Sequence, residues 1–121
     1  MATVLVIEDE VQQLNNICQV LKLEGYETLQ AENGKKGLEM ALTHLPDLII
    51  CDIDMPEMDG FGVLKALQGN PRVSAIPFIF LTVFSTPAHI DKAFKKGIDA
   101  YIIKPFSIVD LLNKVKTHIR D

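Results

Sequence analysis

Four short apolar runs in this chain end in groups able to handle a cation or a phosphoryl group. Leu48-Ile-Ile-Cys51 leads directly into Asp52-Ile-Asp54, and Val4-Leu-Val-Ile7 into Glu8-Asp9-Glu10. Ala100-Tyr-Ile-Ile103 ends in Lys104-Pro105, and Phe78-Ile-Phe-Leu81 ends in Thr82. Open parallel sheets bind ligands just outside the carboxyl ends of their strands, so neighbouring strands would gather these groups in one place. Glu8, Asp9 and Asp52 brought within a few ångströms repel on the order of several kcal/mol at an effective dielectric near 20. Either a cation relieves that repulsion or one acid keeps its proton. Hard carboxylate oxygens without Cys or His suit Mg2+, with Mn2+ the other ion of that type. Lys104 supplies a point charge for a phosphoryl or carboxylate oxygen, and Thr82 supplies a hydroxyl. These are the parts of phosphoryl transfer, where position and charge neutralisation dominate. An aspartate can itself be the nucleophile, giving an acyl phosphate.

The elements that must position these groups are legible as strands alternating with helix-period segments. Strands are expected at Val4–Ile7, Glu27–Ala31, Leu48–Cys51, Phe78–Thr82 and Ala100–Ile103. The first, third and fourth are continuous apolar runs suited to central parallel strands, whereas Glu27-Thr-Leu-Gln-Ala31 is mixed and suits an edge. Between them, apolar residues recur at three and four: Val11, Leu14, Cys18, Leu21; Leu38, Ala41, Leu42, Leu45; Phe61, Leu64, Leu67; Ile90, Ala93, Phe94; Ile108, Leu111, Leu112, Val115, Ile119. Asn33-Gly34, Asp59-Gly60, Ser107 and Thr86 with Pro87 mark helix starts, and Gly25 and Gly97 mark stops. Five βα units with right-handed crossovers make an α/β, doubly wound parallel sheet with helices on both faces, one domain over residues 1–121.

Bulk properties narrow the class. The 48% apolar and 23% charged composition is that of an ordinary globule. No apolar run approaches the ~20 residues of a membrane span, and no signal-peptide core precedes the acidic cluster, so a cytoplasmic protein without membrane contact is expected. A net charge of −4 argues against direct nucleic-acid binding, which needs a basic face. Lys92, Lys95 and Lys96 gather locally and read as a solvated helix face. Cys18 and Cys51 occupy apolar positions and read as buried reduced thiols, and His44, His89 and His118 as ordinary surface residues.

With the acidic pair Glu8-Asp9, the segment Asp52-x-x-Met-Pro-x-Met-Asp-Gly60, Thr82 and Tyr101-x-x-Lys104-Pro105-Phe106 in this order, the chain resembles the receiver domains of two-component response regulators over essentially its whole length. The resemblance implies a flavodoxin-like three-layer fold with strand order 2-1-3-4-5. It implies that Asp52 is the phosphoacceptor, taking a phosphoryl group from the phosphohistidine of a sensor histidine kinase or phosphotransfer protein. Asp9 would bind Mg2+ directly and Glu8 through water, with Asp52 and the backbone carbonyl of Asp54 completing the protein's share. Lys104 would pair with the phosphoryl group, Thr82 would donate its hydroxyl and move inward, and the backbone at Ile53 and Val83 would face phosphoryl oxygens. Tyr101 would turn inward, remodelling the face of the fourth helix, fifth strand and fifth helix for a downstream protein, a fused output domain or a homodimer. The resemblance also implies a cis Lys104–Pro105 peptide. Such a domain is a switch that catalyses its own modification, not a turnover enzyme.

Plainer readings stand beside these. Glu10 reads as a helix start, where negative charge is favoured, and is left out of the site. Asp59 would cap the third helix and Gly60 admit an unusual backbone angle. Thr82 alone suits a strand, and Tyr101 alone suits packing. Val83 stands where the family mostly has a small residue; with Phe84 it is expected to hinder attacking water, while acidic Asp54 could oppose that. The dimer signature is partial, with Asp99 and Lys114 in suitable places. Two rivals share parts of the pattern. A haloacid-dehalogenase-type phosphohydrolase would use Asp52-x-Asp54, the second as general acid and base. A flavodoxin-type carrier would need a hydroxyl- and glycine-rich loop where Glu8-Asp9-Glu10 stands. The kinase and the output are not named by the sequence, which suits a stand-alone regulator and a receiver of a longer protein equally.

Overall fold

A computed structural model describes residues 1–119. The order is β1 (Thr3–Ile7), α1 (Val11–Leu23), β2 (Glu27–Ala31), α2 (Gly34–His44), β3 (Leu48–Cys51), α3 (Gly60–Gln68), β4 (Phe78–Thr82), α4 (Pro87–Lys95), β5 (Ala100–Ile103) and α5 (Ile108–His118). The single-domain reading over 1–121 extends past these residues to Arg120 and Asp121, which lie outside the described residues.

The five strands form one parallel sheet in the order β2-β1-β3-β4-β5, with β2 at an edge as its mixed composition requires. Alternation along each strand divides the apolar residues into two cores. Val4, Val6, Leu48, Ile50, Ile79 and Leu81 face α1 and α5, packing with Leu14, Leu21, Leu111 and Val115. Leu5, Ile7, Ile49, Cys51, Phe78 and Phe80 face α2, α3 and α4, packing with Ala41, Val63, Leu67 and Ala93. The result is three layers with helices on both faces.

Strand bounds agree with expectation except that β1 begins one residue earlier. Thr3 pairs with Glu27, and its N–H donates to Asp47 Oδ2 at 2.8 Å. Asn33, Asp59, Thr86 and Ser107 each cap a helix through the side-chain oxygen, and Glu10 does so for α1. Gly25 and Gly97, at φ 97° and 106°, end α1 and α4. Gly60 corrects the expectation of an unusual backbone angle, because positive-φ glycines among the described residues are Gly25 and Gly97. A Cβ there would instead lie 2.6 Å from the Asp52 carbonyl oxygen and 2.8 Å from Ile53 Cα. Close approach to the loop that carries Asp52 is what requires glycine.

Candidate functional site

Adjacent parallel strands bring the acids together. β1 and β3 run in register with Ile7 opposite Cys51, so Glu8 and Asp52 leave the sheet side by side. The Asp52 N–H donates to the Ile7 carbonyl at 3.0 Å and fixes that exit. Glu8, Asp9 and Asp52 each offer a carboxylate oxygen, all within 4.8 Å of one another. Glu8 and Asp52 are buried and Asp9 is exposed, so the cluster opens to solvent on one side. It consists of hard oxygen donors alone and fits a Mg2+-type ion that keeps part of its water shell.

Lys104 enters from β5, where its N–H extends the ladder to the Thr82 carbonyl at 2.7 Å. Its side chain reaches back across β4 and β3. Nζ lies 2.7 Å from Glu8 Oε1 and 3.5 Å from Asp52 Oδ2. The peptide after it, Lys104–Pro105, is cis. Burial pushes the Glu8 carboxyl up to about 7; the Lys104 hydrogen bond pulls the other way, and the Asp52 charge adds to the rise. Burial and the neighbouring charges of Asp52, Glu8 and Asp59 push the Cys51 thiol well up, and its Sγ–H donates to the Asp52 carbonyl at 3.1 Å. It is a protonated packing residue, not a nucleophile.

On the other flank, Phe84 is the hub of a small polar and aromatic network. Its N–H donates to the buried Thr82 Oγ1 at 3.3 Å, and its carbonyl accepts from the Tyr101 hydroxyl at 2.5 Å. Tyr101 therefore sits inward, the residue only 7% exposed. The Phe84 ring stacks on His89 with centroids 5.0 Å apart. Both line a cavity of about 260 Å³ with Ile53, Asp54, Asp59, Phe61 and Lys92.

The structure thus gathers Glu8, Asp9, Asp52 and Lys104 in one cluster and sets Thr82 and Tyr101 around Phe84. Asp54 lines the neighbouring cavity, outside the carboxylate cluster. Val83 is 63% exposed, so its side chain turns toward solvent, contrary to the expectation that it narrows the approach to Asp52. Sequence reading passed over His89 and Lys92 as plain surface. Lys92 Nζ in fact lies 4.9 Å from the centroid of the Phe61 ring. Neither contact has a periodic signature, since each depends on how α4 is set against its neighbours. Asp99 and Lys114 are engaged within the chain, Asp99 Oδ2 accepting from the Phe78 N–H at 2.8 Å and Lys114 pairing with Asp110 at 2.9 Å.

Residues 4–116 match the response regulator receiver domain family. The polar-differentiation response regulator DivK of Brucella anthropi is 32% identical over 119 residues, 98% of this chain and 97% of that one. The chemotaxis protein CheY4 of Vibrio cholerae superposes with a TM-score of 0.92 at 28% identity, over 98% of this chain and 99% of that chain. The receiver domain of a signal transduction histidine kinase from Syntrophus aciditrophicus does so with a TM-score of 0.88 at 35% identity, over 97% and 89%. Among the described residues, no helix is long and apolar enough to cross a membrane. Fold, cluster and sequence agree: the chain belongs to the response regulator receiver domains of two-component systems, a family of signalling switches rather than turnover enzymes.

Proposed function

We propose that this chain is switched in the cytoplasm by transfer of a phosphoryl group from a phosphohistidine, on a sensor histidine kinase or phosphotransfer protein, to Asp52. The observation that carries the reading is the Glu8-Asp9-Asp52 carboxylate cluster with Lys104 Nζ between two of its members. A buried aspartate among acids with one lysine is poised for an incoming phosphoryl group accompanied by a cation.

A carboxylate oxygen of Asp52 attacks phosphorus, the P–N bond to the donor imidazole breaks, and an acyl phosphate forms on Asp52. Glu8, Asp9, Asp52 and the backbone carbonyl of Asp54 would hold Mg2+, which when bound neutralises charge on the transferring group. Lys104 exchanges its bond to Glu8 for one to a phosphoryl oxygen. The Thr82 hydroxyl, whose oxygen already accepts from the Phe84 N–H, keeps its proton to donate to another. The backbone N–H groups of Ile53 and Val83 serve the remaining oxygens. Inward Tyr101 ties this site to the face made by α4, β5 and α5, where Phe94, Ile103, Ile108 and Val109 are exposed. That apolar face is the docking surface for a downstream protein or output domain. A homodimer is the less favoured occupant, because Asp99 and Lys114 already have partners within the chain.

Incubation with Mg2+ and acetyl phosphate, followed by intact mass, tests the reading. One phosphoryl group is expected on the wild type and none on Asp52→Asn or in EDTA. An unchanged wild-type mass, or modification that persists in Asp52→Asn, overturns it.

A further inference from the structure

We propose that His89 is a positioning residue for the chemistry at Asp52, holding loop 83–86 through its ring stacked on Phe84. The inference rests on the phosphoacceptor reading of Asp52. Several constraints on the loop pass through Phe84. Its N–H reaches Thr82 Oγ1, its carbonyl takes the Tyr101 hydroxyl, and its ring lies on His89 at 5.0 Å with an interplanar angle of 23°. His89 is exposed, so burial in the core does not account for where its ring lies.

One further contact fixes the imidazole and another the backbone that carries it. His89 Nδ1 lies 2.5 Å from Thr86 Oγ1, and the His89 N–H donates to the same oxygen, which caps α4. The ring is therefore anchored to the first turn of a helix and reaches back over the loop that precedes it. Loop residues with few packed neighbours open locally at low free-energy cost. Phe84 is half-buried against the core on one side, and the stack on His89 adds a second hold on loop 83–86. Release of the Phe84 ring would loosen its N–H and carbonyl together, and with them Thr82 Oγ1 and the inward Tyr101. The same ring pair walls the cavity beside Ile53 and Asp54, so the hold is exerted next to the reacting carboxylate.

His89→Ala, His89→Phe, Phe84→Ala and the double variant His89→Ala/Phe84→Ala separate this role from a general loss of stability. Two measurements are made: the rate of phosphorylation by acetyl phosphate with Mg2+, and the nuclear Overhauser contact between the Tyr101 ring and residue 84 in the unmodified protein. His89→Ala is expected to slow phosphorylation about two- to tenfold, the range of one aromatic pair, and to weaken the Tyr101 contact. His89→Phe restores both, and in the Phe84→Ala background His89→Ala adds nothing further. Wild-type behaviour of His89→Ala, or failure of His89→Phe to restore, overturns the proposal. A wild type that takes up no phosphoryl group instead strikes the phosphoacceptor reading, and the Tyr101 contact alone then decides whether His89 holds the loop.

Discussion

Lys104 is bound more closely to Glu8 than to Asp52, at 2.7 Å against 3.5 Å. The lysine that would receive a phosphoryl oxygen rests on an acid of the carboxylate cluster, and all three side chains are largely withdrawn from water. Lys104→Met removes the cation and leaves Glu8 and Asp52 without it. Stability is expected to fall by about 1–3 kcal/mol at pH 8, the scale of a buried group losing its partner. Phosphorylation by acetyl phosphate should slow by at least about tenfold, as when one preorganised charge is removed from a transition state. Urea unfolding and intact-mass time courses measure the two effects.

Glu8 gives the metal-free protein a pH dependence of definite sign. Burial pushes its carboxyl up to about 7 in the folded chain, against 4.5 for a glutamate in water. The folded state therefore holds this proton more tightly, and the associated stability is fully present below pH 4.5 and lost as pH rises through 7. In EDTA this group makes the protein less stable at pH 8 than at pH 5.5, by up to about 2 kcal/mol. Glu8→Gln carries no titrating proton and should flatten that part of the profile. Urea unfolding of both proteins at the two pH values is the check; an identical slope in Glu8→Gln would assign the dependence elsewhere.

Most of this arrangement is legible in the sequence because each element carries a local signal. Continuous apolar runs such as Leu48–Cys51 specify central strands, and Asn33, Asp59, Thr86 and Ser107 specify helix starts. The carboxylate cluster follows, since strand ends that neighbour each other place their next residues together. What stayed hidden lacks such a signal. Leu45 ends α2 in the left-handed region at φ 49°, where glycine is the usual residue. The choice of Glu8 by Lys104, the outward turn of Val83 and the stack of His89 on Phe84 depend on side-chain packing, which periodicity does not encode. The need for glycine at position 60 is of the same kind, because close approach between loop and helix is a tertiary property.

Gly60→Ala follows from that correction. The added Cβ would meet the Asp52 carbonyl oxygen at 2.6 Å, Ile53 Cα at 2.8 Å and Phe80 Cε1 at 2.8 Å. Two of the three are backbone atoms of the loop bearing Asp52 and cannot swing aside. Overpacking of this kind costs about 1–3 kcal/mol. Because the strain falls on Asp52 itself, phosphorylation should drop even where the variant remains folded. Gly62→Ala, whose Cβ would meet Met58 Cγ at 3.1 Å on a flexible side chain, is the control and should be milder on both counts.

Phe84 and Val83 follow Thr82 in sequence, yet they should differ in their effect on the lifetime of the phosphorylated state. The Val83 side chain is 63% exposed, whereas the Phe84 ring walls the cavity next to Ile53 and Asp54. Water that removes the phosphoryl group must reach phosphorus past the groups beside Asp52, and only Phe84 places bulk there. Phe84→Ala is expected to shorten the lifetime several-fold, and Val83→Ala to leave it close to wild type. Phosphate release after removal of acetyl phosphate, with Mg2+ held constant, measures both. Acceleration in Val83→Ala alone would mean that the loop turns Val83 over Asp52 once the phosphoryl group is in place.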